Sequence, residues 1–318
     1  MASTPTEYPV PKALGEQTFR SLSVTRIRER FVIFTLGSCT LFSVLITISI
    51  VCLLVGQTVE FFKMDETSIA DFLLGLQWNP TLGEEKHFGI WPLVCGTMWV
   101  TLIAMAVALP LGLITAVYLS EYANPKLRNL LKPSLELLAG VPTVVYGFFA
   151  LIVITPALQA IGIKVDYYNA LSGGIAVGIL CLPTVASLAE DALRAVPTRL
   201  REAAYGLGST KFDVSIKVVL PAALSGIISA FLLAVARAIG ETMIVAMSVG
   251  ALANLTWDPR QQMQTMTGHM TAMAKGDLSN FDVEYYSIYS VALVLFVITL
   301  TLTMIGNVVR KRFQEAYD

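Results

Sequence analysis

Six apolar stretches, each at least about as long as the roughly 20 residues that cross a bilayer, recur along these 318 residues and leave little freedom in what the chain can fold into. They run over residues 31–56, 92–119, 134–154, 170–189, 222–249 and 287–309. In hydrocarbon every backbone amide needs an internal partner, so runs of this length read as helices. Charge points the same way: Asp, Glu, Lys and Arg make up 14% of the chain, against about 25% in soluble domains. The expected fold class is an all-α polytopic membrane protein with six transmembrane helices. A formal net charge of −1, with no clustered basic excess, gives no support to a nucleic-acid partner. The first run exceeds the roughly 7 to 15 apolar residues of a signal peptide and reads as a retained span.

Orientation follows from the loops. With the N-terminus inside, sixteen lysines and arginines fall in inner segments and five in outer ones, so the positive-inside rule puts both termini in the cytoplasm. The first 24 residues, rich in Pro, Ser and Thr, read as a loose tail. The first outer loop carries the apolar stretch Phe72 to Pro80, compatible with a segment lying along the membrane surface with Trp78 among the headgroups, or with a plain packed loop. The last outer loop, 250–286, contains Met263, Met266, Met270, Met273 and His269. These are soft-metal residue types, but no second His or Cys completes a ligand set, which favours an amphipathic helix on the outer face and no metal site. Cys39, Cys52, Cys95 and Cys181 stand singly and read as small buried hydrophobes rather than zinc ligands or a disulfide framework.

Arg237 is the only basic residue inside an apolar run. Arg at mid-membrane costs roughly 2.5 to 3.5 kcal/mol even on a lenient scale, so such a residue faces a bundle interior or an aqueous cavity. Glu241 lies four residues on, which in an unbroken helix puts it on the same face. Two roles compete. One is a neutralising pair that holds the bundle together or latches a gate. The other is an oxyanion station, in which the planar guanidinium holds two oxygens. The carboxylate would repel a fully deprotonated anion but can accept the proton that phosphate keeps near neutral pH. Thr242 can add a hydroxyl donor or bond back to its own helix. Gly140, Pro142 and Gly147 predict a break in the third span, with Thr143 and Tyr146 lining a path or packed in the core. Glu136 reads as interfacial, partnered by Lys132. Pro183 and Thr184 suggest another kink, and Glu190, Asp191 and Arg194 a solvated inner end.

The longest inner loop predicts two short helices around a turn at Gly206 and Gly208, with Ser209 or Thr210 capping the second and Pro221 starting the next span. Composition alone makes it a surface helix pair. Its Glu202-Ala203-Ala204, Gly208, Val218 and Leu220-Pro221, however, resemble the signature of ABC importer permeases, with Val in place of the usual Ile. Trp78-Asn79-Pro80, Gly89, Pro92, Gly96-Thr97, the stretch from Glu136 to Gly147, and Arg237 to Thr242 are similar to the permeases of the bacterial phosphate-specific transport system. The length and first outer loop resemble its C subunit rather than its A subunit. Cys95 stands where a Tyr is expected, and the N-terminal tail matches nothing.

The resemblance implies a MetI-like importer fold in a bacterial inner membrane, multi-pass, with both termini cytoplasmic. It divides the chain into a cytoplasmic tail 1–30, a first transmembrane helix 31–56, a periplasmic loop 57–91, a permease core 92–310 with a cytoplasmic coupling loop 190–221, and a C-terminus 311–318. It implies that Glu202, Ala203, Ala204, Gly208 and Phe212 contact an ABC ATPase dimer, and that a second homologous permease and a periplasmic phosphate-binding protein complete the assembly. Phosphate would pass Arg237, Glu241, Thr242, Thr143 and Tyr146. No lysine follows a glycine, so the chain has no P-loop. It is expected to be no enzyme and to hold no cofactor of its own, ATP and Mg being bound by the partner ATPase. Sulfate, molybdate or another oxyanion as cargo, or an ion-coupled secondary transporter, are the alternatives.

Overall fold

The computed structural model describes residues 14–80, 86–276 and 282–312, with side chains from residue 28 onward; the start of the expected tail and the last six residues lie outside the described residues. Two compact units divide the chain, residues 1–54 and 55–318. The described part of the first is helical throughout and belongs to α1 (Leu14–Phe62), so helix begins well before residue 25, where the tail was expected to end. Its apolar side chains are exposed on all sides, Phe31, Phe34 and Phe42 among them, as suits a helix whose surroundings are themselves apolar. Thr35, Ser38, Thr40 and Thr47 each donate to the carbonyl four residues back, which satisfies their hydroxyls without water. Cys39 and Cys52 are exposed here and only Cys181 is fully buried, so burial was the wrong expectation for two of the four cysteines.

The second unit begins with the end of α1 and continues through α2 (Ile69–Leu74) and a short antiparallel pair, β1 (Trp78–Asn79) and β2 (His87–Phe88), in which Trp78 faces Phe88. Helices follow: α3 (Trp91–Val117), α4 (Pro125–Ala139), α5 (Thr143–Phe149), α6 (Thr155–Ala160), α7 (Ala170–Ala195), α8 (Thr198–Gly206), α9 (Lys211–Val214), α10 (Leu220–Ala222), α11 (Leu224–Ile239), α12 (Met243–Ser248), α13 (Met266–Lys275) and α14 (Val283–Arg312). Single π turns at Tyr118–Tyr122, Ala150–Ile154 and Ser215–Val219 continue α3, join α5 to α6 and join α9 to α10. Among the described residues five helices are long and apolar enough to cross a membrane, and Lys211–Ala222 with Leu224–Ile239, bent by 70° at their junction, make a sixth if counted as one broken span.

Two expected spans differ from the observed ones. The third starts at Thr143, not near 134. Residues 134–139 belong to amphipathic α4, which ends at Gly140 because Pro142 holds a fixed φ and has no N–H for a continuing ladder. The fifth does not run unbroken to 249: α11 stops at Ile239, and Gly240, Glu241 and Thr242 separate it from α12. Its start also shifts, since Pro221 sits in the short α10 and the straight helix begins at Leu224.

The tightest seam joins α3 to α7. A Cβ on Gly174 would lie 2.7 Å from the Ile103 Cβ, and one on Gly178 would lie 2.9 Å from both the Ala104 carbonyl and the Val107 Cβ. Gly112 of α3 is covered in the same way by Val185. Small residues four apart let two backbones close up where no hydrophobic force separates protein from lipid. This seam supplies much of a core that also takes in Tyr146, Ala238 and Ile244. A second core gathers Leu193, Ala204, Val214, Val219 and Ile227.

The third core is aromatic. Phe61, Phe72, Trp78 and Phe88 meet edge to face, so Trp78 is packed inside the protein rather than set among headgroups, while Leu73, Leu74 and Leu76 of the same stretch stay exposed. The Trp78 Nε1 donates to Nδ1 of His269 at 3.3 Å, and the other ring nitrogen lies 3.2 Å from the Ser287 hydroxyl. Most of the methionine-rich segment is helical, α13, whose first turn from Met266 to His269 is buried while its far end is exposed; Met263 precedes it. Burial pushes the His269 pKa down to about 3 from its ordinary 6.5.

Two predictions follow from this packing. Gly178→Val should cost about 1 to 3 kcal/mol through overpacking, lowering the thermal midpoint of the purified protein, whereas Gly37→Ala, where nothing lies within 4 Å, should not. For His269 the unfolded chain takes up a proton near pH 6.5 and the folded chain does not until about pH 3. Its contribution is therefore complete above pH 6.5 and is lost as pH falls. At about pH 5 this amounts to at most about 2 kcal/mol, so the drop in midpoint between about pH 7.5 and 5 should shrink in His269→Gln.

Candidate functional site

The candidate path residues gather where two spans end, at the start of α5 and at the end of α11. Pro142 precedes α5 in extended backbone, and Gly240 closes α11 before α12 begins. The two short helices after these breaks pack on each other: a Cβ on Gly147 would lie 3.1 Å from the Met247 Cβ and 3.2 Å from its sulfur. Gly147 therefore serves close approach rather than a kink. Tyr146, buried, donates its hydroxyl to the Leu138 carbonyl at 2.9 Å, tying the end of α4 across the break to α5. Thr143 is half-buried at the first turn of α5.

Arg237 sits in the last turn of α11, half-buried. Its Nη1 donates to the Thr184 hydroxyl at 2.9 Å, one residue beyond Pro183 in α7. It lies within electrostatic reach of Tyr146 and Cys181. Among the described residues it forms no ion pair. Glu241 is not its same-face partner, because the helix ends between them. The Glu241 carboxylate instead accepts the amides of Met243 at 3.1 Å and Ile244 at 3.3 Å, capping α12, where the free N–H groups and helix dipole favour a negative charge. Its carbonyl accepts from Thr267 at 2.7 Å. Thr242 bonds back to the Gly240 carbonyl at 3.1 Å. Geometry thus brings Arg237, Thr184 and Tyr146 together, places Glu241 nearby as a helix cap, and takes Thr242 for local backbone.

The coupling-loop residues form the expected helix pair. Gly208, at φ +84°, reverses the chain after α8, and the Gly208 and Ser209 amides cap carbonyls of its last turn. The Thr210 hydroxyl accepts the Asp213 amide at 3.2 Å to start α9. Ala204 is buried in the second core, while Glu202 and Ala203 face outward. Leu207 and Phe212 are 88% and 66% exposed, an apolar tip on an otherwise polar loop. Arg201 fixes the base, donating to the Leu193 and Val196 carbonyls and to Glu121, and Lys211 lies 5.0 Å above the Tyr122 ring.

The expected solvated inner end holds for Asp191 and Arg194, which are exposed, but not for Glu190. Glu190 is a fully buried carboxylate, held by Arg128 at 2.8 Å and Lys132 at 2.7 Å. Lys132 pairs with Glu190 and Asp191 rather than with Glu136, which is exposed. Burial works against the Lys132 charge, but the hydrogen bonds to Asp191 and Glu190 outweigh it and hold its pKa above the ordinary value. Sequence reasoning missed Thr184 as the partner of Arg237 and missed the whole α4–α7 charge cluster. The only signal was Arg128 and Lys132 four apart on one face of α4.

The helical architecture, with its interrupted spans and protruding helix-pair loop, is that of an importer subunit. The family model described as binding-protein-dependent transport system inner membrane component matches residues 108–316, and the chain belongs to that family. It is 32% identical over 273 residues to the probable ABC transporter permease protein YqgH of Bacillus subtilis, covering 86% of this chain and 87% of that one. To the phosphate transport system permease protein PstC of Xylella fastidiosa it is 31% identical over 264 residues, covering 77% and 79%. Among solved structures, a bacterial ABC transporter that imports alginate aligns with a TM-score of 0.65 at 12% identity, over 92% of this chain and 99% of that one. The inward-facing MetNI methionine ABC transporter aligns with a TM-score of 0.54 at 19% identity, over 71% and 95%. These structural likenesses establish the fold, and the expected MetI-like importer architecture holds.

The Glu241 cap generates a prediction. Glu241→Gln keeps an acceptor for the Met243 and Ile244 amides and should leave the thermal midpoint nearly unchanged. Glu241→Ala removes it and should cost about 1 kcal/mol, read as a lower midpoint in the same melt.

Proposed function

We propose that this chain is the phosphate-translocating permease subunit of a binding-protein-dependent ABC importer in a bacterial inner membrane, with both termini in the cytoplasm. Relatives named as phosphate transport system permeases, matching over about three quarters of the chain, support the cargo. Its partners are a second homologous permease, a periplasmic phosphate-binding protein and an ABC ATPase dimer that binds ATP and Mg. This chain performs no hydrolysis.

The observation that carries the path assignment is Arg237. A half-buried guanidinium in a span, bonded to one hydroxyl and, among the described residues, in no ion pair, offers four more donors and a positive charge. That is what a tetrahedral oxyanion needs at mid-membrane. Tyr146 lies within electrostatic reach of it, with Thr143 one turn earlier on the same short helix, while Glu241 and Thr242 occupy the break between α11 and α12. Alternating access would move α5 and α12 against the α3–α7 seam, driven through the coupling loop. There Glu202 and Ala203 face outward, Phe212 supplies an apolar anchor, Gly208 sets the turn, and Ala204 roots the loop in the core.

The test is uptake of radiolabelled phosphate by cells deleted for this gene and for other phosphate transporters. Wild type should restore uptake. Arg237→Gln should abolish it with the complex still assembled, and Glu202→Lys should lower it by weakening the ATPase contact. Uptake retained by Arg237→Gln rejects the path role. Wild-type uptake blocked by sulfate or molybdate more strongly than by phosphate transfers the cargo to those anions.

A further inference from the structure

A polar cavity of about 410 Å³ opens between the π turn after α3, the start of α4, the end of α7 and the start of α8. It is separate from the Arg237 region, and its volume is many times the roughly 30 Å³ share of one liquid water. Three arginines line it, Arg128, Arg194 and Arg201, against one carboxylate, Glu121. Their hydrogen bonds show which charge is spent and which is spare.

Arg201 is spent on the Leu193 and Val196 carbonyls and on Glu121, which also accepts from Ser120. Arg128 turns Nε and one amino nitrogen to the same oxygen of Glu190, each at 2.8 Å, leaving its second amino group. Lys132 holds the other Glu190 oxygen. Arg194 is therefore surplus: it comes no closer than 3.8 Å to Glu190, donates no hydrogen bond among the described residues, and is half exposed on the cavity wall. Thr198, in the first turn of α8, adds a hydroxyl and the positive end of a nine-residue helix to the same wall. A free guanidinium fork, a second partly free guanidinium and a hydroxyl around a space of this size fit the oxygens of a phosphate group, which arginine binds through two parallel bonds.

We propose that this cavity binds a phosphate group, with Arg194 as its principal ligand and Arg128 and Thr198 in support. The group is a free orthophosphate or the headgroup of an anionic lipid, since both present the same oxygens at the end of the bundle that carries the coupling loop. The inference stands apart from the cargo of the transporter.

The assembled complex in nanodiscs tests it, in an Arg237→Gln background so that the path residue contributes nothing. One arm measures binding of radiolabelled orthophosphate in phosphatidylcholine nanodiscs. The other counts phosphatidylglycerol molecules retained per complex by native mass spectrometry, from mixed nanodiscs. Arg194→Gln should weaken orthophosphate binding by about tenfold or more, or remove a retained lipid, as expected for loss of charge-assisted bonds. Arg199→Gln, a control off the cavity wall, should do neither. If Arg194→Gln prevents assembly, Arg194→Lys keeps the charge without the fork and should still weaken whichever ligand binds. Dependence on Arg194 in the first arm assigns free phosphate, and in the second a lipid headgroup. Independence from Arg194 in both arms overturns the proposal.

Discussion

A helix that ends among packed neighbours must find partners for the amides and carbonyls its end frees, and this requirement shapes the centre of the protein. The break after α11 exposes the first amides of α12, and the Glu241 carboxylate accepts two of them. The break before α5 is spanned by the Tyr146 hydroxyl, which takes a carbonyl from the last turn of α4. Because both breaks are satisfied by side chains, they persist, and the short helices that follow them can pack together at Gly147. Among the described residues Arg237 ends up beside these breaks with Thr184 as its one hydrogen-bond partner. An acidic residue in a membrane span therefore has a structural task here that leaves the neighbouring positive charge unneutralised.

Rigidity comes from elsewhere. Glycines and alanines let α3 and α7 approach until their backbones touch, and both short helices rest on this seam. At the end of α7 the force changes from dispersion to charge. Glu190 is clamped by α4, and Arg201 ties the α7 C-terminus to α8. The helix pair that presents Leu207 and Phe212 is thus anchored to the same helix that carries Thr184. The loop is joined to Arg237 through α7, by Arg201 at one end and Thr184 at the other.

Much of this was legible in the sequence. Apolar runs longer than a bilayer specify spans, since no other structure satisfies the backbone there, and Gly140 with Pro142 announces a break because proline cannot continue a helix. The helix pair around Gly208 was readable from glycine and capping chemistry, and Arg237 stood out because its burial is costly. The stop at Ile239 was not readable: Gly240 alone is compatible with helix, and only the packing of α12 on α5 and the Glu241 cap make ending it favourable. The burial of Glu190 was equally hidden, because Arg128 and Lys132 lie some sixty residues away. The sequence by itself determined the class, the spans and the turn chemistry, which depend on local hydrogen bonding and on transfer from water. Only the tertiary structure decided which charges are paired, since pairing depends on contacts between residues far apart in the chain.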